Sequence, residues 1–375
     1  MKILFFAERV NLDFFRGDSL LLKRMAEGLA GKGHEIHAVC HGSSFSVKVH
    51  SPGNFWLYTK AFSFPLASFF SFRKLVSVLD EFSFDAAIIK IPSFSGSGFW
   101  FNSGPLIESG FYSAIGKELK KRGIPFFVFA EGITEKENFL SSFMGCSGKQ
   151  QFTLMNESKG IVCLSRLQNR ILFSEGINRP MSFFPAPADT EKYVAEKKGK
   201  GIELDGKKIN LLYLSSSCDT KDFIPFFGFL EKNDCVLFVV SPFSVLPESL
   251  QKELEKKKLE GKVRLVSGFP DENLFQLIPF FDAGVYLKKF GFAFADSSYM
   301  MKISEYLSCG LPVLVPEMKG PLEQAGKAAV NFERTGKISK QALKKLSAEA
   351  RKTAVEGLDL KKSVLRIEGF IHENS

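Results

Sequence analysis

Short, almost purely apolar runs recur along this chain, each followed by a stretch whose apolar residues fall at helical spacing, and the alternation occurs in two separate series. "KILFFA" (2–7) leads into "DSLLLKRMAEGLAGKG" (18–33), where Leu22, Met25, Ala26 and Leu29 make one helical stripe, and then into "EIHAVC" (35–40). "DAAIIKI" (85–91), "PFFVFA" (125–130) and "GIVCLS" (160–165) continue the first series, with amphipathic stretches between them. A strand that is apolar on both sides must be covered on both sides, which predicts parallel sheets with helices on each face. The second series follows "PAPADTEKYVAEKKGKGIELDGKK" (185–208), a Pro-, Gly- and Lys-rich stretch without periodicity. Its strands are expected at 209–215, 235–241, 262–268, 283–287 and 312–316, with helices near 221–231, 247–258, 271–279 and 298–308. The expected architecture is α/β, with doubly wound parallel-sheet domains over 1–186 and 187–357 facing across a cleft. The last amphipathic segment, about 358–374, is expected to pack back onto the first domain.

Composition removes several alternatives. A chain that is 45% hydrophobic and 24% charged is that of a globular protein, not a disordered or fibrous one. The six cysteines form no C-x-x-C pair, so neither a disulfide framework nor a zinc cluster is suggested, and reduced thiols in a cytoplasm are the expected state. "MKILFFAER" turns charged too soon for a signal peptide or a membrane span. The net charge of +9 lies mostly in residues 1–185, which carry 21 Lys and Arg against 15 Asp and Glu, and this suits a phosphate-bearing partner or an anionic surface. Most of the 41 phenylalanines are expected in cores, but "FWLYTKAFSFPLASFFSF" (55–72) and "FSGSGFWFN" (94–102) also fit a patch resting at a membrane interface or holding a lipid-linked acceptor. No nucleic-acid-binding module is recognisable.

"SYMMKISEYLSCGLPVLVP" (298–316) reads as helix, stop and strand: Met300, Ile303 and Leu307 pack, while Lys302 and Glu305 occupy another face. Gly310 ends the helix and Pro312 prevents its return. A helix starting near Tyr299 can offer its N–H groups and dipole to a diphosphate; Lys302 can neutralise phosphate charge, and Glu305 can accept from ribose hydroxyls. A plain exposed Lys/Glu pair is the alternative. His34 and His37 have opposite strand parity, which argues against a metal site shared between them, and His34 is expected simply to pack. Neither a G-x-G-x-x-G fingerprint nor a P-loop spacing is present, so no cofactor is indicated.

Three segments together resemble the family-4 glycosyltransferases of the group 1 glycosyl transferase superfamily. They are "IVCLSRLQNRILFSEGINRPMSFFPAPADTEKY", "VRLVSGFPDENLFQLIPFFDAGVYL" and the 298–316 segment, which matches the nucleotide-sugar signature in the form K-x-x-E-Y-x-x-x-G-x-P-V. The resemblance covers most of 160–320, and the first 40 residues fit the family's opening strand, glycine loop and "GHEI" strand.

The resemblance implies a GT-B fold, two Rossmann-like domains, and retaining, metal-independent transfer of a sugar from a nucleotide diphosphate sugar to a hydroxyl acceptor. The acceptor is expected to be a glycan or lipid-linked precursor, and the location cytoplasmic, at the inner face of a membrane. Lys221 matches the family's diphosphate-binding lysine, and Lys302 and Glu305 take the signature roles. Ser216 and Ser217 stand where relatives carry an arginine, and Ser297 stands where many carry a first glutamate. Gly268, ending its strand, and Met301, beside Lys302, fall in the matched donor motifs. Gly17 matches the glycine of the first loop, next to Arg16. Glu131, ending a strand in "FAEGI", sits where relatives place an acceptor-facing polar residue, and is the expected acid/base group. A nucleotide-sugar isomerase or epimerase of the same fold, and a non-catalytic sugar-nucleotide-binding subunit, are the alternatives.

Overall fold

The computed structural model describes residues 1–7, 17–41, 47–49, 55–60, 67–91, 114–131, 148–192, 202–215, 218–241, 244–267, 274–289 and 293–375. The chain divides into two compact units. The first comprises Met1–Pro185, Phe292–Ser298 and Lys361–Ser375, and the second Ala186–Gly291 and Tyr299–Leu360.

In the first unit the strands are β1 (Lys2–Ala7), β2 (Glu35–His41), β3 (Val47–Val49), β4 (Phe55–Lys60), β5 (Ala86–Ile91), β6 (Phe126–Ala130), β7 (Gly160–Cys163) and β8 (Met181–Phe183). They form one sheet in the order β3-β4-β2-β1-β5-β6-β7-β8, parallel throughout except for β3 against β4. The chain therefore winds one way from β1 through β2 and the other way through β5, which puts the topological switch between β1 and β5. On the Gly17–Ala30 helix, Leu22, Met25, Ala26 and Leu29 are fully buried, as their spacing predicts. Burying a leucine side chain stabilises the fold by about 1.5–3 kcal/mol. Much of the aromatic run at 55–72 is built into β4 and the Ala67–Glu81 helix. The 94–102 run lies outside the described residues.

β2 carries a buried titratable group. His37 is enclosed by the rings of Phe82 and Phe84, with centroids 4.7 and 5.2 Å away, and its Nε2 lies 2.8 Å from Glu35 Oε1. Burial depresses its pKa below the usual 6.5, and Glu35 offsets this only in part. The native state thus holds fewer protons than the unfolded chain around that pH, so the stability His37 contributes is complete above about 6.5 and is lost as pH falls below it. The urea midpoint of the first unit is expected to drop between about pH 7 and pH 5, and His37→Gln should flatten that slope; an identical slope in the variant refutes the assignment.

In the second unit the strands are β9 (Ile209–Leu214), β10 (Cys235–Val240), β11 (Val263–Val266), β12 (Ala283–Val285), β13 (Val313–Val315) and β14 (Ala329–Asn331), in the order β11-β10-β9-β12-β13-β14 and all parallel. Leu212, Leu214, Val236, Phe238 and Val240 pack on one face, whereas Leu211, Tyr213, Leu237 and Val239 pack on the other. This alternation is the pleat of strands covered on both sides. The switch falls between β9 and β12. β8, β14 and the helices Lys319–Ala325 and Lys340–Gly357 were not expected from periodicity. The first two are only three residues long, too short to show a period.

The final helix, Leu360–Asn374, belongs from Lys361 onward to the first unit. Its Phe370 ring meets Phe127 at 5.6 Å and lies against Gly160, where a Cβ would come within 2.5 Å of Phe370 Cζ. No helix among the described residues is long and apolar enough to cross a membrane. Cys163, Cys218, Cys235 and Cys309 are unbridged.

Candidate functional site

At the carboxyl end of β9 several side chains converge. The signature helix spans Met301–Ser308, two residues later than the expected start near Tyr299, because Met300 has extended dihedrals (φ −111°, ψ 131°) and serves as the N-cap. Met300 has no side-chain oxygen for capping, and Gln324 of the Lys319–Ala325 helix holds its backbone instead. Gln324 Oε1 accepts from Met300 N–H at 2.7 Å, while its Nε2 donates to Met300 O and to Ser304 Oγ, both at 2.9 Å. Gln324 is buried and held at both ends, so it fixes where the first turn points.

From that turn Lys302 reaches across the switch and donates from Nζ to Leu214 O at 2.5 Å, with Nζ 5.9 Å from the centroid of the Tyr213 ring. One turn on, the hydroxyl oxygen of fully buried Tyr306 accepts from Leu214 N–H at 2.9 Å. The Tyr306 ring lies directly on β12, where Gly284 leaves room for it. The two side chains thus grip both backbone polar groups of Leu214, the last residue of β9. Glu305, between them, is 8% exposed. Lys302 and Glu305 are therefore part of the packed end of the sheet and not the exposed pair of the alternative reading. Ile303 and Leu307 are buried as expected, and Met300 is partly buried.

The turn after β9 holds the other predicted residues. Asp219 caps the Thr220–Lys232 helix, accepting from Lys221 N–H at 3.1 Å, and its carboxylate pairs with Lys221 Nζ at 3.0 Å. That contact raises the Lys221 pKa and lowers that of Asp219, while the ammonium stays largely exposed. Asp222, three residues after Asp219, is buried, and both burial and the neighbouring Asp219 push its pKa up. Cys218 lies under the same turn. Burial raises its thiol, and hydrogen bonds to Ser241 and Ser215 and the charge of Lys302 offset this in part. The structure brings Lys302, Glu305, Met301 and the Lys221 turn to the carboxyl edge of one sheet. Ser216, Ser217, Gly268 and Arg16 lie outside the described residues.

In the first unit Gly17 opens the first helix. Glu131 follows β6 and is 9% exposed, its Oε2 2.6 Å from Nζ of Lys90 on β5, which is itself 2% exposed. Lys90 was missed by sequence reading: it interrupts an apolar strand, but its partner lies 41 residues away by number. Gln168 was missed too. Its amide accepts from Leu164 N–H at 2.8 Å and donates to Ser298 Oγ at 2.5 Å and Phe294 O at 3.2 Å, tying Phe294 and Ser298 to the body of the first unit.

No protein-family model and no curated protein matches the sequence. Solved structures do match over nearly the full length. A sucrose-phosphate synthase from Thermosynechococcus elongatus has a TM-score of 0.71 at 10% identity, with 99% of this chain and 98% of that chain covered. A trehalose-6-phosphate synthase, studied for glycosyl transfer with retention, has 0.66 at 11%, covering 100% and 99%. A UDP-GlcNAc 2-epimerase from Methanocaldococcus jannaschii has 0.58 at 11%, with both chains covered completely. At these identities the likeness is one of fold: the chain has the GT-B fold of two Rossmann-like units, which glycosyltransferases share with such epimerases.

Proposed function

We propose that this protein is a glycosyltransferase that moves a sugar from a nucleotide diphosphate sugar to a hydroxyl acceptor. The observation that carries the reading is the placement of Lys302 and Glu305 on one helix over the β9/β12 switch, where open α/β sheets bind ligands. In this reading the diphosphate rests against the first turn of the Met301–Ser308 helix. Lys302, held by the Leu214 carbonyl, and Lys221, on its exposed turn, face the charge that grows on the departing diphosphate. Glu305 accepts hydrogen bonds from the ribose hydroxyls. Protein cations and helix N–H groups carry the electrostatic work without a metal. Retention fits the fold neighbour that transfers with retention, and the departing phosphate would take the acceptor proton. Glu131, held by Lys90, is the acceptor-side carboxylate of this scheme.

The acceptor class is a glycan or lipid-linked hydroxyl, motivated by the basic, Phe-rich first half. The test is release of nucleotide from UDP-, GDP- and ADP-sugars with water-soluble or lipid-extract acceptors. Acceptor-dependent release, lowered about tenfold or more by Lys221→Ala through loss of a charged contact worth about 1.5–3 kcal/mol, supports the reading; acceptor-dependent release unchanged in that variant rejects the role of Lys221. The epimerase neighbour favours one second reading, nucleotide-sugar epimerisation. It predicts conversion of the donor without acceptor and without nucleotide release. Tight binding with neither outcome would mark a non-catalytic sugar-nucleotide-binding subunit.

A further inference from the structure

A second group of chemistry-bearing side chains lies in the first unit. Glu368 and His372 are four residues apart on the Leu360–Asn374 helix, which puts them on one face, as two ligands on a helix must be to share an ion. That face meets His34, the buried residue just before β2. His34 Nε2 lies 2.7 Å from Glu368 Oε1, and the His34 and His372 rings are 5.9 Å apart. One ligand atom from each residue falls within 4.8 Å of the others. His34 Nδ1 accepts from the Met1 ammonium at 3.2 Å, so the ring is held from behind and, without metal, its proton lies on Nε2, facing Glu368.

We infer that His34, Glu368 and His372 form a binding site for a divalent transition-metal ion of the Zn²⁺ type, which would staple the final helix to the start of β2. Two imidazoles and one carboxylate are a donor set that zinc accepts with a water as fourth ligand, whereas Mg²⁺ and Ca²⁺ prefer oxygen-only shells. Tetrahedral zinc with ligand bonds near 2.0–2.1 Å separates neighbouring donor atoms by about 3.3 Å. The His34–Glu368 contact would open slightly and the exposed His372 ring would swing inward. The ion takes the Nε2 lone pair and the Nε2 proton leaves, while Nδ1 takes a proton from the Met1 ammonium and then donates back to the amine, so binding releases one proton net. Without metal, the same residues make only a His–Glu hydrogen bond beside a surface histidine.

The experiment is equilibrium dialysis and thermal melting of chelator-treated full-length protein with ZnCl₂, with MgCl₂ as control and Co²⁺ as spectroscopic probe. The expected result is saturation at one Zn²⁺ per chain, a rise in melting temperature with Zn²⁺ but not Mg²⁺, and a Co²⁺ spectrum lacking thiolate charge-transfer absorption. Affinity should fall at least tenfold in Glu368→Gln and in His372→Ala, and His372 is exposed enough for that variant to fold normally. No Zn²⁺ uptake, equal uptake by His372→Ala, or a thiolate-type Co²⁺ spectrum would each overturn the site.

Discussion

Replacing Lys302 with alanine is expected to lower kcat for the proposed glycosyl transfer by about 10²–10³-fold, the range found when one preorganised donor to a developing negative charge is removed. The argument rests on where its ammonium is held. Leu214 O fixes Nζ at the end of β9 before any ligand arrives, so little reorganisation is needed when charge moves onto the diphosphate. Uniform binding of ground and transition states would show as a raised KM alone; a charge that matters most at departure shows in kcat. A purely structural role would give another result. Lys302→Met keeps an unbranched apolar side chain of similar length but loses the charge near Tyr213, and would retain turnover if Lys302 served only to pack. Lys302→Arg should recover part of the rate. Glu305→Ala should act mainly through the KM for the donor, since ribose contacts are made before and during reaction alike. Turnover within a few-fold of the parent in Lys302→Ala, with its melting temperature unchanged, would remove Lys302 from the reaction.

The elements of this fold that the sequence announces are those whose signal is local. β1, β9 and β10 are apolar runs long enough to be seen, and the Leu22–Leu29 stripe is a local period. Lys302 and Glu305 stand out because a packed helix needs neither. What stays hidden depends on contacts between distant parts of the chain. Gln324 holds the N-cap residue of a helix 24 residues upstream, Gln168 binds Ser298 130 residues away, and Lys90 meets Glu131 only because β5 and β6 are neighbours. His34 illustrates the limit. Strand parity separates it from His37, and the two do find different partners, but Glu368 and His372 lie 334 and 338 positions ahead of His34 by number, beyond any local pattern. The short strands β8 and β14 owe their existence to the sheet edges they complete.

Gly284→Ala is expected to destabilise the second unit by about 2–6 kcal/mol, combining about 1–3 kcal/mol for overpacking with a similar cost for a buried N–H left unpaired. A Cβ at this position of β12 would lie 2.3 Å from both Cγ and Cδ2 of Tyr306, close to the root of the ring, where rotation brings no relief. The ring cannot retreat, because it is fully buried in the cluster that also holds Ile303, Leu307 and Val313. It cannot slide along the strand either without giving up the hydrogen bond from Leu214 N–H. A loss of this size is a large share of the ~5–15 kcal/mol that holds an ordinary domain together, and it should lower the melting temperature by roughly 10 °C. Because Tyr306 and Lys302 sit on the same helix and hold the same residue of β9, a shift that unseats the ring also moves the ammonium, so turnover should fall at temperatures where the protein is still folded. Tyr306→Leu in the Gly284→Ala background tests the mechanism. If the clash is the cause, the double variant should be more stable than the two separate losses predict, a coupling that distant sites do not show. A melting temperature within a degree or two of the parent for Gly284→Ala, or strict additivity in the double variant, would mean that β12 and the signature helix are not locked together in this way.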